Sequence, residues 1–224
     1  MTNKYPVLYI DPPWTFATYS DKGKGRSAES HYDCMSLDDI KALPILDFAD
    51  DDCVLFMWIT NPMLEKGFEV INAWDFEYKS VAFTWAKIKD DPFCNPWIDE
   101  SWFMGLGYWS RNNTEQCLLA TRGKPSPQSH SVRQLIIAPR REHSRKPEEA
   151  YERIEQLCAG PYLEMFARYE RDGWDTAFST LEGSIERRWG SNEGKPFSID
   201  PLGDGSFRGP DEKEKAPIDI FSFT

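Results

Sequence analysis

Positive charge is in short supply in this sequence. Against 26 lysines and arginines stand 37 aspartates and glutamates, a net charge of −11 over 224 residues. That balance argues against broad, non-specific nucleic-acid affinity, which rests on a basic surface, while leaving room for a local basic patch. Cysteine is sparse as well. Cys34, Cys53, Cys94, Cys117 and Cys158 form no Cys-x-x-Cys, and only His31, His130 and His143 could join them. A structural zinc site is therefore not expected, and reduced thiols in a cytoplasmic setting are the simplest account. No apolar run reaches the roughly 18 residues of a membrane span, and the opening Met-Thr-Asn-Lys-Tyr-Pro carries no signal-peptide core, so no membrane association is expected. There is no Gly-x-Gly-x-x-Gly either. Gly105 and Gly107 make only Gly-x-Gly, with Ser110 where a third glycine is needed, and read as a turn.

What is present suits one globular domain with one sizeable core: 40% hydrophobic and 28% charged residues. Aromatics reach 14%, enough for a well-packed core and for flat surfaces on which a base could stack. Two basic clusters stand out, Lys22-Lys24-Arg26 and Arg140-Arg141-Arg145-Lys146. A charge run is more often a solvated loop than a phosphate site, so neither carries weight alone.

Residues 6–10 read as a buried strand stopped by Pro12 and Pro13. Residues 15–35 are a polar loop, and Ser36 with Asp39 resembles a capping box before a short helix that Pro44 interrupts. Residues 53–59 form an apolar run typical of a strand covered on both faces. Asn61-Pro62 then reads as an N-cap and N1 proline, with Leu64, Phe68 and Ile71 as the helix stripe. Residues 78–87, 115–121, 132–138 and 162–167 read as further strands. Between the last two, Pro147, Glu148 and Glu149 open a helix with Ala150, Ile154 and Leu157 as its stripe, closed by Gly160-Pro161. This alternation indicates an α/β three-layer fold with a mostly parallel sheet, in which ligands bind beyond the carboxyl ends of the strands. The domain is expected over residues 1–182, with 183–224 as a Gly-, Ser-, Pro- and charge-rich arm or tail.

Asp11-Pro12-Pro13-Trp14 stands at such a strand end. An aromatic amine is a poor nucleophile because its lone pair is delocalised into the ring. Acceptors for its two N–H hydrogens hold it in line and make the nitrogen more tetrahedral. Asp11 offers a carboxylate and Pro12 a carbonyl on a rigid backbone. Trp14 offers a flat face or a pocket wall. A fixed anion also favours the positive charge that builds on nitrogen.

The sequence resembles the DPPW-motif N6-adenine methyltransferases, kin of the catalytic subunit of the messenger-RNA adenosine methyltransferase. The likeness runs from Tyr9 to about Asp175. Beyond the tetrapeptide it rests, in order, on His31-Tyr32 with Met35-Ser36, Leu55 to Pro62, Trp85-Ala86-Lys87, Gly105 to Gly107, Arg111, Glu115, Gly123, Ser144 to Glu148, and Glu164 to Arg168. The resemblance implies a Rossmann-like S-adenosylmethionine-dependent methyltransferase in circularly permuted motif order. It implies Asp11, Pro12, Pro13 and Trp14 as the catalytic tetrapeptide, with Asp11 also meeting the cofactor's amino group. Lys146 corresponds to the lysine that reaches the methionine carboxylate, at a helix start where an anion is favoured. Glu164 corresponds to the acid on the ribose hydroxyls, and Phe166 and Arg168 to cofactor-proximal residues. Tyr32 corresponds to a loop aromatic near the adenine pocket. Arg140, Arg141 and Arg145 fall in the loop facing that pocket and read as phosphate contacts. Two departures stand out. Gly173-Trp174-Asp175 is not followed by the family's Trp-Gly-Asn-Glu, which has a counterpart only at Trp189 to Glu193, and just five residues precede Pro6. The contacts to the cofactor's adenosyl end are left open.

The expected activity is methyl transfer from S-adenosylmethionine to the N6 amine of adenine in nucleic acid. DNA is preferred over RNA, because a compact catalytic unit resembles bacterial or phage versions. A non-catalytic nucleic-acid-binding partner is the alternative of a different class, and the intact tetrapeptide weighs against it. A homodimer is carried as an expectation, since so acidic a surface leaves one subunit little area for gripping a strand.

Overall fold

A computed structural model describes residues 3–15, 34–141 and 145–179. Tyr32, the Lys22-Lys24-Arg26 cluster and the arm from residue 183 lie outside the described residues. The elements in chain order are β1 (Tyr5–Ile10), α1 (Leu37–Lys41), β2 (Ala49–Ile59), α2 (Leu64–Ala73), β3 (Glu77–Ile88), β4 (Thr114–Arg122), β5 (Leu135–Pro139), α3 (Glu148–Leu157), β6 (Tyr162–Met165) and β7 (Trp174–Ala177).

The strands form one sheet in the order β5-β3-β4-β2-β1-β6-β7. Neighbours are parallel except at β4, which runs antiparallel to both β2 and β3. β1 therefore sits between its successor β2 and the late strand β6, so the strand that carries Asp11 precedes in the chain the strand that carries Glu164. This is the permuted order that the resemblance implied. One edge of the sheet collects the carboxyl ends of six strands and the amino end of β4.

Strand alternation sends successive side chains to opposite faces. Leu8 and Ile10 of β1, with Cys53, Leu55, Met57 and Ile59 of β2, pack under α1 and α2 against Ile40, Val70, Ile71 and Trp74. Val7 and Tyr9, with Val54, Phe56 and Trp58, pack on the other face against Ala150 and Ile154 of α3. From Cys53 to Ile59 β2 is buried on both faces, as its unbroken apolar run requires, and the three layers follow. Each large side chain fully buried here contributes on the order of 1.5–3 kcal/mol. Among the described residues no helix is long and apolar enough to cross a membrane.

Local signals hold at most boundaries. The Ser36 hydroxyl accepts the Asp39 N–H at 3.1 Å and caps α1. Four expectations are corrected. Asn61 is not a cap: residues 61–63 form a 3-10 turn preceding α2, and the Asn61 amide donates instead to Asn112 Oδ1 at 3.0 Å. β5 begins at Leu135, not at 132. β6 ends at Met165, because Phe166 takes a left-handed conformation with φ 65°. β7 was not expected as a strand at all.

Candidate active site

Four charged side chains meet on the α3 face of the sheet, at the edge where the parallel strands end. Each stands two residues beyond a residue packed on that face, buried except for the half-buried Tyr162: Asp11 after Tyr9, Lys87 after Trp85, Glu164 after Tyr162, and Glu115 before Cys117. Alternation alone thus turns them all the same way. Lys146, one residue ahead of the α3 N-cap Pro147, enters the cluster from above.

Lys146 Nζ lies 2.9 Å from Asp11 Oδ2 and 3.1 Å from Glu115 Oε2. Lys87 Nζ lies 2.5 Å from the other Glu115 oxygen. Asp11, Lys146, Glu115 and Lys87 thus alternate in sign. Burial by itself pushes the Lys146 ammonium toward neutrality, but Asp11 and Glu115 outweigh it and raise its pKa above the ordinary lysine value. Burial likewise works against the Glu115 carboxylate, and Lys146 and Lys87 reverse it, drawing the pKa down to about 2. Lys146 also lies 5.2 Å from the Trp58 ring centroid, so its stem and charge are both accommodated. It is not an exposed lysine at a helix end.

Glu164 behaves oppositely. Burial lifts its pKa to about 7, against the hydrogen bond it accepts from Tyr151 Oη at 2.9 Å; the Asp11 charge adds to the rise. Glu164 is register partner of Tyr9, directly beside the strand that leads to Asp11. After it, Phe166 turns the chain in the left-handed region, and Arg168 emerges exposed.

The tetrapeptide is held from several sides. Pro12 is buried, and its carbonyl accepts the Trp14 N–H at 2.8 Å, which sets its direction and leaves a second lone pair. The Pro13 carbonyl accepts the Met35 N–H at 2.9 Å. Trp14 is only 3% exposed, lies in the core under α1, and donates its indole N–H to the Trp58 carbonyl at 3.1 Å. It is a core side chain that anchors the tetrapeptide rather than an open stacking face. Nearby in sequence, the Thr60 hydroxyl, one residue past β2, is buried without a hydrogen-bond partner.

The three loop arginines occupy the same edge. A recess of about 500 Å³ is lined by Asp90, Pro139, Arg140, Arg141 and Arg145. Arg140 lies over the Phe103 ring at 4.6 Å. Glu148 accepts from Arg141 (2.8 Å), Arg145 (3.3 Å) and Arg171 (2.7 Å). Arg171 and Tyr151 were not singled out from sequence, and Lys87, Glu115 and Trp58 were noted only as family matches. A charged residue at the end of an otherwise apolar strand was the available signal. Its partner was not, because the contacts join residues far apart in the chain. Gly105 and Gly107 lie in a loop that folds back on Asn112, whose carbonyl accepts the Gly105 N–H at 2.8 Å, and a Cβ on Gly107 would fall 1.9 Å from the Ser110 carbonyl oxygen.

A family model described as MT-A70 matches residues 5–178. Type II methyltransferase M.MunI from a Mycoplasma species is 32% identical over 190 residues, covering 77% of this chain and 76% of the relative. The human N(6)-adenosine-methyltransferase catalytic subunit is 28% identical over 185 residues, covering 80% of this chain and 29% of that protein. An MT-A70-like N(6)-adenosine-methyltransferase of Arabidopsis thaliana is 28% identical, covering 80% and 24%.

Proposed function

The chain belongs to the MT-A70 family of methyltransferases, and from that premise we propose that it transfers a methyl group from S-adenosylmethionine to the N6 amine of adenine in DNA. The observation that carries this reading is Asp11 just past the end of β1, in an intact Asp-Pro-Pro-Trp, clamped by Lys146 at 2.9 Å. DNA is taken first because the alignment covers 76% of a type II methyltransferase but 29% of the human adenosine enzyme's subunit. The likeness to that adenosine enzyme supports RNA as the second reading.

The donor set fits the cofactor. Lys146 is a buried ammonium suited to a carboxylate, Asp11 a carboxylate suited to an ammonium, and Glu164 an acceptor suited to a pair of ribose hydroxyls; Phe166 and Arg168 follow on the same turn. S-adenosylmethionine, when bound, supplies a methyl group activated by a sulfonium. The protein's own part is to hold the amine. Asp11 and the free lone pair of the Pro12 carbonyl accept its two N–H hydrogens, and the rigid Pro12-Pro13 backbone keeps both acceptors in place. The Asp11 charge favours the positive charge that develops on nitrogen. Trp14, packed in the core, anchors the tetrapeptide through its bond to the Trp58 carbonyl, and an adenine in duplex would have to leave the stack to enter. Arg140, Arg141 and Arg145 serve the phosphates, and Tyr32 the adenine pocket.

Labelled methyl transfer to matched single- and double-stranded DNA and RNA oligonucleotides, followed by nucleoside analysis, tests the reading. N6-methyladenine is the expected product, strongest in DNA. Asp11→Ala should stay folded but be less stable, since Lys146 loses one of its two carboxylates, and should lose transfer by a factor of at least roughly 100. Transfer retained in that variant would remove Asp11 from the mechanism.

A further inference from the structure

Seven of the twelve large hydrophobic side chains left exposed among the described residues come from one stretch, 93–109, between β3 and β4. Trp97 is 93% exposed, and Phe93 and Trp109 are 92% exposed. So much apolar surface in one short stretch marks an interaction site. The stretch is closely hydrogen-bonded. The Phe93 N–H donates to Asp91 Oδ1 at 2.8 Å, the Trp97 N–H to Asn95 Oδ1 at 3.1 Å, and the Asn95 N–H to Ser101 Oγ at 2.9 Å. Its base is tied to the active site. Lys87, which grips Glu115, accepts the Phe103 N–H on its carbonyl at 2.9 Å, and Arg140 of the arginine recess covers the Phe103 ring.

We propose that residues 93–109 grip the nucleic-acid strand: Phe93, Trp97 and Trp109 stack on the bases that flank the target adenine, while Arg140 beside Phe103 takes a backbone phosphate. The inference rests on the nucleic-acid substrate of the proposed function. Stacking is the contact this surface can make. Asp90 and Asp91 lie just ahead of the stretch and Asp99 and Glu100 within it, and the chain carries −11, so counterion release contributes little. Every base has a π-face, and stacking on an aromatic side chain needs no net charge. A two-fold contact with a second copy through the same stretch would instead gather these four carboxylates and their four symmetry equivalents at one interface.

The test uses the full chain, with fluorescence anisotropy on labelled adenine-containing oligonucleotides at several salt concentrations. The Trp97→Ala/Trp109→Ala double variant should lose affinity by roughly tenfold or more. Its salt slope, melting temperature and cofactor affinity should stay those of the wild type. Arg140→Ala should weaken binding and reduce the salt slope by about one. Wild-type affinity in the double variant overturns the proposal, and if sedimentation shows that variant losing a dimer, the surface belongs to a protein contact. If the wild type binds oligonucleotides through these tryptophans yet transfers no methyl, the methylation reading falls and this one stands. If the wild type binds no nucleic acid, both fall.

Discussion

Lys146 separates two carboxylates, and its neighbours explain why a lysine is tolerated at a position 10% exposed. Removing one member of such a group strands the others away from water, which costs about 3–5 kcal/mol. Lys146→Ala is therefore expected to lower unfolding free energy by about 3 kcal/mol in urea titration. It should also weaken cofactor binding more than nucleic-acid binding, and unchanged cofactor affinity by calorimetry would take Lys146 out of the cofactor site. Asp11 and Lys146 were legible in the sequence, through the tetrapeptide and the Lys-Pro-Glu segment. Their contact was not: 135 positions separate them, and only the meeting of β1 with the start of α3 joins them. Glu115 was visible as an acid at the mouth of a strand. That it neutralises two lysines follows from the antiparallel pairing of β4 with β3, which sets Trp85 opposite Glu115 and brings Lys87 within reach.

At the scale of elements, strand and helix positions followed from periodicity, and the exceptions have local causes. β4 was expected as a strand, but an apolar run reads alike in both directions, so its reversal inside a parallel sheet could not be seen. Asn61 carried a good N-cap signal, and a partner 51 residues away captured its side chain. β7, four residues long, is too short to show a period, and exists because it adds to β6 in parallel register. α3 seals the face that carries the charges, and its stripe was plain. Ile154 is 0% exposed there. Ile154→Ala should cost about 3 kcal/mol, with an unchanged urea m-value, since the cavity opens beneath a helix already held at both ends. A loss below about 1 kcal/mol would mean that α3 collapses onto the sheet to fill the space.

For the whole molecule, the two buried glutamates give stability opposite pH dependences. Glu164 has a folded pKa of about 7 against an ordinary 4.5, so the native state holds its proton more tightly. That contribution is full below 4.5 and is lost as pH rises through about 7. Glu115, lowered to about 2, contributes above 4.5 and loses its contribution as pH falls through about 2. Thermal melts across this range should show Glu164→Gln flattening the decline toward neutral pH and Glu115→Gln making the acid limb shallower, with Glu69 and Glu148, also lowered by their basic partners, keeping the rest of it. A Glu164→Gln melt parallel to the wild type would show that Glu164 is hydrated rather than buried. What the sequence by itself determined was which segments become most of the strands and helices and which strand ends carry charged side chains, because these depend on neighbours in the chain. Tertiary structure alone decided the direction of β4, the sharing of Lys146 between Asp11 and Glu115, and the opposite directions in which the Glu115 and Glu164 carboxyls are shifted. Each of these is set by burial and by charges from remote strands, and electrostatic energy depends on distance and dielectric in space, not on separation along the chain.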